Sequence, residues 1–254
     1  MHNLKLTLSY DGTDFYGWQS QPGCRTVQDT LETALLKATQ VRPHCNPSGR
    51  TDRGVHALGQ VVNCFSTTKL TAEVLRRAVN FYLPEDVKVL KVEYARQVFD
   101  ATKDAISKLY RYVILDSEVP SPFMRKYAYH SKKPLIHEKM FRASRCLLGR
   151  HDFHSFETDW PNRVSSIRTV THLTVNRVGE YIWIDIAADG FLYNMVRAIA
   201  GTLMNIGRGY WPEDCVKGIL QAEDRTQAGP TAAPEGLYLV RVEYEPEHLL
   251  VDHC

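Results

Sequence analysis

A chain of 254 residues with 44% hydrophobic and 24% charged side chains has the apolar content to bury a core and is not composed like a disordered segment. Its formal net charge is only +2, so any grip on a phosphate backbone has to come from clustered cations rather than a surplus of them. Six cysteines without a CxxC pair exclude the usual zinc-ribbon spacing, and no signal-peptide core or run of about 18 apolar residues occurs; a reduced, cytoplasmic protein outside the membrane is expected.

Residues 4–10 (LKLTLSY) alternate apolar and polar, the period of a half-buried strand, and the following DGTDFYGWQSQPG reads as turn. Thr26 precedes a helical face of Val27, Leu31, Ala34, Leu35 and Ala38, with Asp29 placed to complete a capping box. A loop over 43–59 leads to a strand at 60–66 (QVVNCFS). A helix capped by Thr71, with Val74, Leu75, Ala78 and Val79 inward, and a strand at 87–94 follow. The second half opens with a strand from Leu109 to Leu115 and then a Pro- and Lys-rich loop to about 134. A helix near 136–148 comes next, then two strands around a turn at Gly179. Val196, Ile199, Leu203 and Ile206 mark an amphipathic helix, Pro212 suits the first turn of another, and GLYLVRVEY alternates as a final strand. Strands and helices without strict βαβ alternation predict an α+β fold with largely antiparallel sheet, divided into residues 1–104 and 105–254.

Four segments could carry chemistry. In SGRTDRGVH (48–56), two glycines bracket Asp52, with Arg50 and Arg53 beside it. Such a carboxylate, kept ionised by neighbouring cations, is a nucleophile or simply part of a solvated turn. In KLYRY (108–112), Tyr110 and Tyr112 share one strand face, as a platform for a nucleobase or as ordinary sheet packing. Arg197, beside Val196 in FLYNMVR, either turns inward toward a carboxylate or phosphate or snorkels at the helix edge. The loop from Asp224 to Leu237 lines a pocket or is a rigid connection. His151 and His154 have ligand spacing, but no further ligands are apparent and no metal is expected. No P-loop, GxGxxG, HExxH or GxSxG occurs.

Together, YDGTDFYGWQSQ, TVQDTLETAL, SGRTDRGVHALGQV, YRYVI, FLYNMVRAIAGTL and DRTQAGPTAAPEGLYL resemble, in order and over essentially the whole chain, the tRNA pseudouridine synthase A family. The resemblance implies a pseudouridine synthase fold, two halves with sheets joined across a central RNA-binding cleft, and a homodimer. It implies isomerisation of uridine in the anticodon stem-loop of tRNA at positions 38, 39 and 40, without a cofactor. Asp52 then falls on the catalytic aspartate, Tyr110 on the tyrosine that stacks on the uracil, and Arg197 on the arginine that pairs with the carboxylate. Arg50 matches a residue linked with displacing the base, Leu237 contributes to the pocket wall, and Lys108 stands where arginine is commoner. Phe99-Asp100-Ala101-Thr102 departs from the family's F-H-A-R, so a basic RNA contact is expected to be missing at 102, with Lys103 or Lys108 compensating. The competing readings are an RNA-binding protein or chaperone on the same fold, or the same reaction on another structured RNA.

Overall fold

The computed structural model describes residues 1–158 and 165–246; Cys254 lies outside them. It resolves two compact units, one comprising Met1–Ile106 with the chain from Tyr238 on, the other Ser107–Leu237.

In the first unit, β1 (His2–Tyr10) runs antiparallel to both β3 (His56–Ser66) and β4 (Val87–Ala95), so Leu6 faces Val62 on one side and Val92 on the other. The alternation read at the N-terminus holds: Leu4, Leu6, Leu8 and Tyr10 are all buried. The opposite face is not left to water. Asn3 is fully buried and donates to the Phe99 carbonyl at 2.8 Å, while Lys5 lies over the Tyr244 ring at 4.8 Å. Val61, Ala95, Phe99 and Ala101 form a second small core there, closed by Val242 and Tyr244. Those last two belong to β10 (Leu237–Tyr244), which pairs parallel with β3 at Tyr238–His56 and Leu239–Ala57.

The strand expected at 60–66 therefore begins four residues earlier. Its added end, His56 to Gly59, is held between Tyr10 and β10, and a Cβ on Gly59 would sit 2.6 Å from the Val240 carbonyl oxygen. A two-residue strand, β2 (Asn46–Pro47), lines the outer side of β3. Helices α1 (Val27–Thr39) and α2 (Ala72–Tyr82) start where their caps predict: Thr26 and Thr71 accept from the backbone N–H of Asp29 and Val74. Val74, expected inside, is exposed; Leu75 and Val79 alone carry the buried stripe of α2.

In the second unit β5 (Ala105–Leu115), β9 (Tyr181–Ala188), β8 (Ile167–Val178) and β7 (Gly149–Asp152) form antiparallel neighbours, and β6 (Tyr129–His130) adds a short parallel pair to β5. Gly179 has φ +60°, the left-handed backbone that the β8–β9 turn needs. α3 spans only His137–Ser144 before tightening into a 3₁₀ turn at Arg145–Leu147, shorter than the helix expected to 148. α5 (Cys215–Ala222) starts three residues past Pro212, which lies outside its first turn.

The larger correction concerns α4 (Met195–Gly207). It was expected to be amphipathic, yet nearly every residue is buried, because the 228–233 segment covers its outer side. Gly229 N–H donates to Thr202 Oγ1 at 2.8 Å, and a Cβ on Gly201 would lie 1.8 Å from the Pro230 carbonyl oxygen. Among the described residues no helix is long and apolar enough to cross a membrane.

Candidate active site

Asp52 sits half-buried on the loop that leads into β3, and the loop's shape is imposed by the 11–18 segment lying against it. Trp18 N–H donates to the Thr51 carbonyl at 2.9 Å, and Gly54 N–H to the Phe15 carbonyl at 3.3 Å. Asp52 itself closes the turn, its carbonyl accepting from Val55 N–H at 3.1 Å. Two glycines make this approach possible. A Cβ on Gly12 would stand 2.0 Å from the Val55 oxygen; one on Gly17, where φ is +86°, would stand 2.6 Å from the Thr51 oxygen.

The side chain just before Asp52 is anchored from beneath. The hydroxyls of Thr51 and Tyr10 are hydrogen-bonded at 2.8 Å, and Gln60 reaches the Tyr10 hydroxyl at 3.4 Å. Gln60 also donates to the Gly49 carbonyl at 2.7 Å and accepts from Ser48 Oγ at 2.7 Å. Burial pushes the Tyr10 hydroxyl up to about 12, so it remains a neutral partner across the physiological range. On the far side His56 is buried, stacked on Tyr238 at 4.7 Å, with Nδ1 accepting from Gly12 N–H at 3.0 Å and lying 3.2 Å from Asp11 Oδ1. Arg50 and Arg53 are exposed, and the Arg53 guanidinium lies over the Tyr16 ring at 4.3 Å.

The motif 48–56 was legible in the sequence, but its dependence on Tyr10, Gly12, Gly17 and Gln60 was not. The available signal was the glycine pair in DGTDFYGW, which by local pattern reads as turn.

Lys108, Tyr110, Arg197 and Leu237 belong to the second unit. The strand alternation is as expected. Tyr110 and Tyr112 are buried on one face, while Arg111 on the other makes a two-pronged ion pair with Asp185, both contacts 2.7 Å, over Trp183. The Tyr110 ring meets Phe191 edge-on at 5.0 Å, which ties β5 to the segment entering α4. Lys108 is half-buried, and its ammonium is pushed down to about 8, first by desolvation and then by Arg168.

Arg197 turns inward rather than outward. Its Nε donates to the Ala232 carbonyl at 2.7 Å and its Nη1 to Asn194 Oδ1 at 2.8 Å, while Ala232 N–H returns a bond to the Arg197 carbonyl at 3.1 Å. Asn194 holds a left-handed conformation, φ 63°, which asparagine tolerates better than most residues. The covering loop is fixed further by Arg225, which donates to the Gly229 carbonyl and to Thr231 Oγ1, both at 2.9 Å, and by the Tyr112 hydroxyl on the Ala233 carbonyl at 2.8 Å. Leu237, buried, is the first residue of β10.

The departure at 99–102 is built into the fold. Asp100 Oδ1 accepts from the N–H groups of Thr102 and Lys103 and from Asn46 Nδ2, at 2.9, 3.0 and 3.1 Å, and Thr102 Oγ1 donates to the Pro47 carbonyl at 2.6 Å. His151 Nε2 contacts the Leu148 carbonyl at 2.8 Å, and among the described residues no three side chains gather as metal ligands.

A family model described as tRNA pseudouridine synthase matches residues 7–102 and 143–245, which include Asp52 and Arg197. The chain belongs to that family. It is 43% identical to tRNA pseudouridine synthase A of Thermoanaerobacter sp. (strain X514), over 96% of this chain and 100% of the relative. It is 41% identical to tRNA pseudouridine synthase A of Acetivibrio thermocellus, over the same shares. A distant structural likeness, to a chain in the crystal structure of a Cbf5-Nop10-Gar1 complex, has a TM-score of 0.39 at 11% identity, covering 97% of this chain and 61% of that one. This chain is thus an RNA pseudouridine synthase, an isomerase that converts uridine to pseudouridine in tRNA, on an α+β pseudouridine synthase fold.

Proposed function

We propose that the synthase acts on the anticodon stem-loop of tRNA at positions 38, 39 and 40, with Asp52 as its nucleophile. The observation that supports this most is the Asp52 loop itself. Its carboxylate is carried on a turn whose neighbours on both sides are hydrogen-bonded to buried backbone, a rigid mount of the kind a covalent catalyst requires.

On this reading the target nucleotide is flipped from its stack, with Arg50 displacing it and Tyr110 receiving the uracil face against Phe191. Asp52 adds to the base or to the ribose C1′. The N1–C1′ bond breaks, the uracil turns, and C5 joins C1′; the C5 proton is lost and N1 gains one. No electron leaves the substrate, so the reaction asks for no redox cofactor. Arg197 pairs with the carboxylate, Leu237 closes the pocket wall, and Lys108 meets a phosphate. The first unit carries the nucleophile, the second the tyrosine and arginine, and the working form is a cytoplasmic homodimer.

The test is pseudouridine formation on unmodified tRNA carrying uridine at 38, 39 and 40, comparing wild type with Asp52→Ala. Site-resolved product from wild type and none from the variant is expected. Full product from the variant would remove Asp52 from its role, and wild-type product only at other positions or in other RNAs would move the substrate.

A further inference from the structure

The 121–135 segment of the second unit and the residues just past α4 collect positive charge and exposed aromatic rings that the proposed reaction does not use. From Ser121 to Leu135 the chain holds Arg125, Lys126, Lys132 and Lys133 and no Asp or Glu, so the remainder of the chain is net acidic by two charges. Three contacts join this segment to the turn just past α4. Lys133 lies over the Tyr210 ring at 5.1 Å, and Arg208 reaches the Tyr129 hydroxyl at 3.2 Å and Ser131 Oγ at 3.4 Å. Phe123 is 84% and Tyr210 53% exposed, and Arg125, Lys132 and Lys133 are exposed too. Scattered surface lysines would need no explanation. Five basic side chains interleaved with four aromatics, on a chain with almost no net charge, do.

We infer that this face, built from 121–133 and Arg208–Tyr210, is a second contact surface for RNA. It would grip the phosphate backbone away from the reacting nucleotide, with Tyr210 and Phe123 offered to sugar or base. β6 fixes its distance: His130 pairs with Leu115, five residues along β5 from Tyr110, about 17 Å at roughly 3.4 Å per residue. The uridine on Tyr110 and the backbone on Lys132 and Lys133 are then separate parts of one polynucleotide. The inference rests on tRNA being the substrate and assigns a second place where it is held.

The experiment compares wild type with Arg125→Ala/Lys132→Ala/Lys133→Ala. Affinity for unmodified tRNA is followed by fluorescence anisotropy between about 50 and 200 mM salt, and steady-state kinetics are measured on the same RNA. Loss of three phosphate contacts should reduce the salt slope by about 2–3 units and raise KM about tenfold, with kcat changed less than twofold. The charge-preserving Arg125→Lys/Lys132→Arg/Lys133→Arg should behave as wild type, which a merely structural role would not guarantee. All three positions are exposed, so thermal melting should not move. Unchanged affinity and slope in the alanine variant would overturn the inference. So would unchanged RNA binding with lost self-association in sedimentation, which would make the face a contact between copies of the chain. Neither result bears on whether wild type makes pseudouridine, so failure here stays separate from failure of the substrate reading.

Discussion

At the scale of single residues, the chemistry depends on side chains that never need to touch RNA. Thr51 is buried, and its hydroxyl hangs on Tyr10, so the residue preceding the proposed nucleophile has one place to be. Thr51→Val keeps the shape but takes the 2.8 Å partner from the buried Tyr10 hydroxyl and leaves it only the 3.4 Å contact from Gln60, at about 1 kcal/mol. An ångström of drift at a nucleophile costs about a hundredfold in rate. The variant should therefore lose kcat tenfold or more with KM nearly unchanged, and Thr51→Ser should recover most of it; a loss confined to KM would separate Thr51 from the positioning of Asp52. Lys108 makes a different argument. Its folded-state pKa, about 8, lies below the ordinary 10.5, so between those values the unfolded chain binds more protons and stability rises with pH. Below pH about 8 the full cost of burying the charge is present. Lys108→Met should be more stable than wild type at pH 7, by about 1–2 kcal/mol after solvent screening, with the gap closing toward pH 10. Its tRNA affinity should fall at the same time. Urea melts across that range, with binding alongside, check both; a gap that widens with pH would contradict the burial account.

Elements were readable from the sequence wherever their cause was local. The caps at Thr26 and Thr71, the alternation of β1 and the turn at Gly179 follow from residues within a few positions of one another. The larger misses came from segments distant in the chain. β3 starts at His56 because β10 pairs there, and α4 is buried on nearly every side because residues 228–233 lie on it. The same holds for the site: SGRTD announced itself, whereas its seat on Gly12 and Gly17 required a fold to bring 11–18 against 51–55. α4 offers a test in which local and distant effects have opposite signs. By helix propensity alone Gly201→Ala should stabilise by about 1 kcal/mol. Yet its Cβ would meet the Pro230 oxygen at 1.8 Å, in a loop pinned by Arg225 and Arg197. Overpacking against backbone costs about 1–3 kcal/mol, occasionally more. Net destabilisation is expected, with loss of activity as Ala232 moves off Arg197. A denaturant midpoint above wild type would show that the loop yields freely.

For the molecule as a whole, the issue is how a chain of net charge +2 holds a polyanion. Net charge acts at long range and is screened within about 8 Å at physiological salt, whereas phosphate contacts act locally and each releases bound counterions. A chain that used only its excess could neutralise about two phosphates, for a salt slope near 2; one that clusters its cations can exceed that. The acidic remainder of the chain bears on the same balance at the 99–102 turn. There Asp100 spends its carboxylate on the N–H groups of Thr102 and Lys103 and on Asn46, so its charge serves the turn and is not simply surplus repulsion. Thr102 is tied to the Pro47 carbonyl by its hydroxyl, but the residue itself is exposed. Thr102→Arg would give up that bond and a 3.5 Å contact to Asn46 Oδ1, at about 0.5–1.5 kcal/mol, and place a cation where the family resemblance leads one to expect it. If RNA passes this turn, the slope of log affinity against log salt should steepen by about 0.9, KM on tRNA should fall, and kcat should hold. Anisotropy titrations of wild type and variant on the same unmodified tRNA decide it. A slope that does not move would mean the RNA path does not cross residue 102, so that Thr102 would leave no phosphate contact to be made up by Lys103 or Lys108.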